Sequence, residues 1–274
     1  MEEKQNVDRS EILGKDRYVW SQKPKAIRIT PMAILSKKTE REWITLKSFE
    51  LFFDDAVITE IVSWINQKIE NVKASYTSKA GFLYNTSVPE IRALIGILLF
   101  LGATNSSKES TASIWAKDGT GKPICITAIS QKLFLFLVYC LGFDDSTTRV
   151  QRRPDDKVAP IRIIYDKFVV ACEANYNPGT GCTVDESLHG FRGRCSFKQY
   201  ITNRPSKYGI KVYVLADSKT FFLVSSKIST GGGTHAPGLP VPTQAVVDLV
   251  PSVSGTSRNI TTDNYYMSIP LAME

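Results

Sequence analysis

Apolar residues recur every three to four positions in the first part of the chain and every two positions after about residue 180. That change of period divides the sequence into a helical part and a strand-rich part. After Phe53, the residues Val57, Ile58, Ile61, Val62, Ile65 and Ile69 line one side of a helix. Asp54 or Asp55 caps it, because a short carboxylate accepts a hydrogen bond from a free N–H of the first turn. Trp64 falls in the same stripe and is expected in the core rather than as a platform for a ligand. A second helix starts near Pro89, where a missing N–H costs nothing. Its body, 90–101, is apolar on nearly every side except Arg92, which predicts a helix central to a bundle that Gly102 ends. The stretch 104–127, rich in Ser, Thr, Gly and Lys, reads as a long surface connection. A third helix runs from a Ser130 cap to Leu141 and buries Phe134, Leu137, Val138 and Leu141. A fourth follows Pro160, with Ile161, Ile164, Phe168 and Cys172 on one side, and stops at Asn177-Pro178-Gly179.

Strands are expected near 181–187, 209–216 and 220–228, the last two joined by a tight turn at Asp217-Ser218-Lys219. A Gly/Pro-rich loop at 230–242, a short helix at 243–250 and a strand at 258–262 come next, and 265–274 starts another helix. The order is strand, strand, strand, helix, strand. The fold class is therefore α+β, a helical region followed by a mixed sheet. We divide the chain into an arm at 1–47, a helical region at 48–180 and a sheet region at 181–274.

With 274 residues and 43% hydrophobic content, the chain can bury a core, which argues against global disorder. Five Cys, an odd number with no CxxC pair, point to buried free thiols in a reducing compartment. The start, MEEKQNVDRSEI, carries no signal-peptide core. The apolar run at 94–101 is too short to span a bilayer, which takes about 20 residues. A soluble intracellular protein without a membrane partner is expected.

A net charge of +7 favours an anionic partner, and its distribution says more than its sum. Seven Lys or Arg against one acid lie between Lys15 and Lys38, in a basic, weakly ordered arm that either follows a phosphate backbone or is a solvated tail. Six Lys or Arg and no acid lie between Ser187 and Ala216. These six, Arg192, Arg194, Lys198, Arg204, Lys207 and Lys211, are the candidate phosphate contacts. Phe191, Phe197, Tyr200 and Tyr208 are available to stack on bases, although core packing is the expectation for Phe197 and Tyr208.

Asp185 and Glu186 stand together in the first strand, and Asp263 stands at the end of the fourth. If those strands are neighbours, Asp185 and Asp263 meet and can hold a divalent cation. Mg²⁺ prefers oxygen ligands and keeps several waters, so one or two carboxylates suffice for weak binding. Two such ions can stabilise both the attacking and the leaving oxygen of a phosphoryl displacement. Turn capping is the alternative for both aspartates. A second acidic group, Asp144, Asp145, Asp155 and Asp156, flanks Arg152-Arg153 and reads as a polar linker. His189 and His235 are too few and too far apart for a hydrolase, and no nucleophile elbow is present. The GGGT at 231–234 lacks the Lys-Ser/Thr of a Walker loop.

TVDESLHGFRGRCSFKQYITNRPSKYGIKVYVLADSKT followed by RNITTDNYYMSIPLA resembles the piggyBac transposase family. Three blocks carry the likeness in order: DE-x-L-x-GFRGR-C-x-F, NRPSKYGIK, and the block around NIT-x-DN ending in SIPL. SFELFFDDAVITEIVSWIN, PEIRALIGILLFLG and SQKLFLFLVYCLGFDD are similar to the family's N-terminal region, so the likeness covers roughly 43–274. It implies a nuclear cut-and-paste DNA transposase with a ribonuclease-H-like core, in which three aspartates bind Mg²⁺ or Mn²⁺ and cut DNA. Region 48–180 would then serve dimerisation or DNA binding, and 181–274 would be a partial catalytic core with an incomplete ribonuclease-H-like sheet. Asp185 matches the family's first catalytic and metal-binding aspartate, and Asp263 matches the second. The third lies in a GGVD-type segment on a later helix, and these 274 residues hold no such segment. They also lack the helix and strand that complete the core and the family's Cys-rich tail. Tyr265 stands where Trp is common, and Ser196 where Pro is common. The expectation is a DNA-binding chain, partnered by DNA, a second copy or a full-length transposase, that does not cut DNA alone. The alternatives are a non-catalytic binding remnant and a fragment without a function of its own.

Overall fold

The computed structural model describes residues 11–13, 19–21, 34–35, 45–76, 81–202, 206–231 and 239–273. Within the expected arm are three short strands, β1 (Glu11–Leu13), β2 (Val19–Ser21) and β3 (Ile34–Leu35). β1 pairs with β2, and β3 pairs with β4 (Tyr176–Asn177).

Helices dominate from α1 (Thr45–Glu50) onward. α2 (Asp55–Lys73) is capped by Asp54, whose carboxylate accepts from Val57 N at 2.8 Å. It buries Val57, Ile58, Ile61, Ile65 and Ile69, the predicted stripe without Val62. α3 (Val88–Ala103) opens on a capping box in which Glu90 accepts from Ser87 N at 3.2 Å. The expected central placement of α3 is corrected by the structure. Ile91, Leu94 and Ile97 are buried, but Leu98 and Leu99 are 41% and 59% exposed. Apolar composition all round a helix does not by itself cover all of its sides.

The surface connection expected at 104–127 is also corrected. It contains α4 (Thr111–Ile114) and α5 (Pro123–Ala128), and Ile114, Trp115 and Cys125 are buried in the helical core. Trp115 Nε1 donates to Ile129 O at 2.9 Å, so the indole enters the core with its polar atom satisfied. The apolar residues come in two short runs, 114–116 and 124–126, each too short to show a period, which is why this part of the core escapes pattern reading. α6 (Gln131–Cys140) begins at the Ser130 cap and buries Leu133, Phe134, Phe136, Leu137 and Cys140. Val138, expected inside, is exposed.

The acidic stretch that follows is an ion-pair knot around α7 (Arg149–Arg152) rather than a linker. Buried Asp144 binds Arg149 and, at 2.6 Å, Arg152. Asp156 binds Arg162 at 2.8 Å, at the start of α8 (Arg162–Asn175).

The sheet follows. β5 (Gly181–Gly190) pairs antiparallel with β7 (Tyr208–Asp217) and parallel with β9 (Asn259–Thr262). A two-residue strand not foreseen, β6 (Gln199–Tyr200), and β8 (Leu223–Ile228) both pair with β7. The turn into β8 is wider than a tight hairpin. Buried Asp217 accepts from Lys219 N and Thr220 N, and Phe221 takes a left-handed φ of 60°. Only from Leu223 does the chain rejoin the sheet.

Alternation along β5 and β7 gives the sheet two dissimilar faces. One carries Val184, Tyr213 and Leu215 against α9 (Val241–Leu249) and Tyr266. The other carries Val212 and Val214 against Val158, Ile161 and Tyr165. There Tyr165 on α8 shares a 2.7 Å hydrogen bond with Ser226 on β8, joining the helical part to the sheet. α10 (Ile269–Met273) is the last element. Among the described residues no helix is long and apolar enough to cross a membrane. All five Cys are free thiols, four of them buried.

Candidate metal and nucleic-acid site

β5 and β9 run parallel, with Val184 opposite Thr262 as their last registered pair. One step further along each strand stand Asp185 and Asp263. Neighbouring strands lie about 4.8 Å apart, so residues level with one another on the same face are close. Asp185 continues to pair with β7, opposite Val214, whereas β9 has ended. The edge of β5 beyond Val184 is thereby opened, and Glu186, which alternation turns toward the other face, reaches the same spot. Ligand oxygens of Asp185, Glu186 and Asp263 all lie within 4.8 Å of one another. The expected convergence of the first and fourth strands is what the register produces. Glu186, adjacent in sequence but not foreseen as a third ligand, joins because the partner strand stops.

Each acid is held locally. Asp185 accepts from Glu186 N at 2.7 Å, and Asp263 accepts from Tyr265 N at 3.0 Å. The Asp263 contact is a turn-capping bond, so the capping and ligand readings of this residue coexist. Glu186 accepts from the hydroxyl of Tyr266 at 3.0 Å. Tyr266 is fully buried, and burial, reinforced by the Glu186 charge, pushes its phenol far above the ordinary range. It therefore remains a proton donor. Asp185 and Asp263 are exposed, and among the described residues no Lys or Arg forms an ion pair with either.

The donor set fits a hard divalent cation. Three carboxylates offer oxygens only, with no thiol or imidazole, as suits Mg²⁺ or Mn²⁺. Ligands on opposite sides of one Mg²⁺ are about 4.2 Å apart, twice a ~2.1 Å bond, so small side-chain rotations would close the set around one ion.

The predicted phosphate contacts separate into groups. Arg192, Arg194 and Lys207 are exposed. Lys198 is half-buried, donating to Gly193 O at 3.2 Å and lying 5.6 Å from the Tyr208 ring centroid. Arg204 lies outside the described residues, as does most of the GGGT segment. Lys211 corrects the expectation. Only 7% exposed, it sits between the rings of Tyr213 and Tyr265, at 4.9 and 4.7 Å, so it does not present its ammonium on the surface. Its position on β7 explains this: it lies on the same face as Tyr213, two residues along and opposite Leu188. A charge count cannot see that parity. Phe197 packs against Val212 and Ile228 as expected. Tyr208, expected in the core, is exposed.

Residues 46–274 match the family described as Transposase IS4. Among solved structures the chain is similar to one in a cryo-electron-microscopy structure of a piggyBac transposase synaptic complex with hairpin DNA. The two are 36% identical with a TM-score of 0.83, and the match covers 89% of this chain and 50% of that one. The chain thus spans about half the length of the transposase it matches. The likeness extends over the helical region as well as the sheet that carries the acids. A family match over most of the chain and an agreeing fold lead to one assignment: the chain belongs to the IS4/piggyBac-type transposase family.

Proposed function

We propose that Asp185 and Asp263, with Glu186 beside them, form the metal-holding part of a DNA strand-cleavage and strand-transfer site used in DNA transposition. The observation that carries this reading is the convergence of three carboxylates whose ligand oxygens lie within 4.8 Å, two on β5 and one just past the end of the parallel strand β9, with no cation paired to either aspartate among the described residues. Like charges held this close favour a counter-ion from solution. Mg²⁺ or Mn²⁺ bound there would polarise a phosphodiester and help activate the attacking water. The protein's own part is positional. β5 and β9 fix the two aspartates, and the Tyr266 hydroxyl holds Glu186 from the buried side.

DNA is the proposed partner. Arg192, Arg194, Lys198 and Lys207 lie in the connection between the end of β5, beyond Asp185, and the start of β7. Such residues neutralise phosphates and hold the duplex in place without reading its sequence. The transposase that this chain resembles was solved in a complex with hairpin DNA. The finer reading is that residues 1–274 bind DNA in the nucleus, alone, as a homodimer or with a longer transposase, but do not cut it by themselves. The family's third aspartate, on its GGVD-type segment, is not among them.

The test is to incubate the 274-residue chain with transposon-end DNA and Mg²⁺ or Mn²⁺. Binding that weakens steeply between about 50 and 200 mM salt, without nicking, is the expected result. Efficient nicking that Asp185→Ala abolishes would overturn the inactivity. Binding indifferent to salt would overturn the phosphate contacts.

A further inference from the structure

Two exposed aromatic rings stand at the end of the sheet away from the acids. Tyr200 on β6 and Tyr208 on β7 are a registered cross-strand pair, with ring centroids 4.8 Å apart. They are 52% and 55% exposed. Cross-strand aromatic pairs can serve only to hold strands together. Here, however, β6 is two residues long, and the pair leaves about half of each residue in water. Lys198 lies over the Tyr208 ring at 5.6 Å, and Arg192, Arg194 and Lys207 are exposed nearby in sequence. No acid interrupts the segment from Ser187 to Ala216.

The position of this pair relative to the carboxylates follows from the register. Asp185, Ser187 and His189 face the same side as Val214, Val212 and Ile210, and Tyr208 is the next residue of that β7 series. Phe191, the next of the β5 series, donates its N–H to Tyr208 O at 3.1 Å. Asp185 and the tyrosine pair therefore belong to one face of the sheet, separated by six residues of strand, or about 20 Å. Val158, Ile161 and Tyr165 cover the Val212–Val214 part of that face, so a strand joining the two would run along the β5 side, past Ser187 and exposed His189. That span corresponds to about six nucleotides of one strand at a ~3.4 Å stacked rise. Gly209 keeps β5 and β7 close at this end, since a Cβ there would lie 2.5 Å from His189 O.

We infer that Tyr200 and Tyr208 form a stacking platform for unpaired bases of the DNA strand whose phosphodiester lies at Asp185 and Asp263. This rests on the reading of the acids as a DNA-processing site. A ring left half in water beside cations offers a base an aromatic surface and its phosphate a counter-charge, the combination that single-strand binding sites use. Regular duplex keeps its bases stacked on one another, so the platform distinguishes unpaired from paired DNA.

The test compares two labelled DNAs of equal phosphate number, a blunt duplex and a duplex ending in about six unpaired nucleotides, bound to the full chain at fixed salt. The wild type is expected to bind the tailed DNA about ten-fold more tightly, an effect in the range of one well-stacked base. Tyr200→Ala with Tyr208→Ala should remove that preference and leave blunt-duplex binding, which also reports that the variant is folded. Tyr200→Phe with Tyr208→Phe should keep it. Arg192→Gln with Arg194→Gln should weaken both DNAs alike. Equal binding of the two DNAs by the wild type, or a preference that survives the alanine pair, overturns the platform and leaves the DNA site standing. Failure to bind either DNA in a salt-dependent way overturns both.

Discussion

The chain carries two acidic groups that look alike in sequence and differ in what surrounds them. Asp144, Asp145 and Asp156 lie among Arg149, Arg152 and Arg162, and the structure pairs Asp144 and Asp156 with these guanidiniums. Asp144 is buried, and Arg152 also donates to Asp145 O at 2.9 Å, so this group ties α7 to the turn before it. Asp185 and Glu186 lie on β5 and Asp263 just past the end of β9, with ligand oxygens within 4.8 Å of one another and backbone N–H groups and the Tyr266 hydroxyl among their donors. One group has its counter-charges built in. In the other, the two aspartates have none among the described residues. An acid that supports a fold is expected to weaken it when removed, and an acid kept for a ligand is not.

The largest effect should come from the first group. Asp144→Ala would leave Arg149 and Arg152 without their shared partner. Both side chains are more than a third exposed, so water compensates in part. A loss of about 2–4 kcal/mol in denaturant unfolding is expected, toward the low side of what breaking a buried pair costs. Asp185→Asn should behave oppositely, because two like charges about 4–5 Å apart repel by about 1 kcal/mol even in water. Its stability without metal should be unchanged or slightly raised. If Asp185→Asn lost as much as Asp144→Ala, the contrast between the two groups would collapse.

Asp217 sharpens the contrast as an acid that pairs with no cation among the described residues and is nevertheless structural. Burial works to raise its pKa, but hydrogen bonds from Gly179, Thr220 and Lys219 N–H groups outweigh that and hold it below the usual carboxylate value. A depressed pKa contributes stability above the unfolded value, near 3.8, that is lost as pH falls through the folded value. Asp217→Asn should cost about 1–3 kcal/mol at neutral pH, since its amide cannot accept from every donor the carboxylate now satisfies. It should also reduce the stability lost on acidification below about pH 4. An unchanged acid limb in the variant would place that loss elsewhere.

Metal addition tests the second group directly. At a Mg²⁺ or Mn²⁺ concentration about ten times its dissociation constant, an ion that binds only the folded state adds about 1.4 kcal/mol. The melting temperature of the wild type should rise with either ion, and that of Asp185→Asn or Asp263→Asn should not. The same rise in Asp144→Ala would show that the two groups are independent. A rise of equal size in all variants would mean that the ion binds somewhere else.

Much of the fold, and one side of this contrast, is legible in the sequence. The helix stripe of α2, the caps at Asp54 and Ser130, and the change of period near residue 180 are local signals, and the structure keeps them. Asp185 and Asp263 could be paired because strand order and the resemblance pointed the same way. Parity and burial were harder to read. Lys211 and Arg192 carry the same charge in one acid-free run, yet alternation along β7 turns Lys211 into a tyrosine cage while Arg192 stays in water. The arginine partners of Asp144 stood in plain view. Their geometry depends on α7, a helix of four residues, too short to announce itself by period. Trp115 and Cys125 were missed for the same reason, since their burial belongs to tertiary packing rather than to a repeat.

The smallest predicted effect concerns how Glu186 is held. Tyr266→Phe keeps the buried ring and removes one donor to a carboxylate, which should cost about 1 kcal/mol at neutral pH. The pH dependence gives the clearer signature. Because the folded state raises the Tyr266 pKa above the ordinary 10.0, the phenol's contribution is complete below pH 10. It then falls as the unfolded chain ionises and the folded one does not. The wild type should lose up to about 1.4 kcal/mol per pH unit more than Tyr266→Phe above that point. Metal should bind the variant with Glu186 less constrained, so a weaker melting-temperature rise with Mg²⁺ would tie the tyrosine to the acid cluster. An identical rise, together with parallel alkaline limbs, would make Tyr266 a packing residue alone and leave the cluster held by its backbone turns.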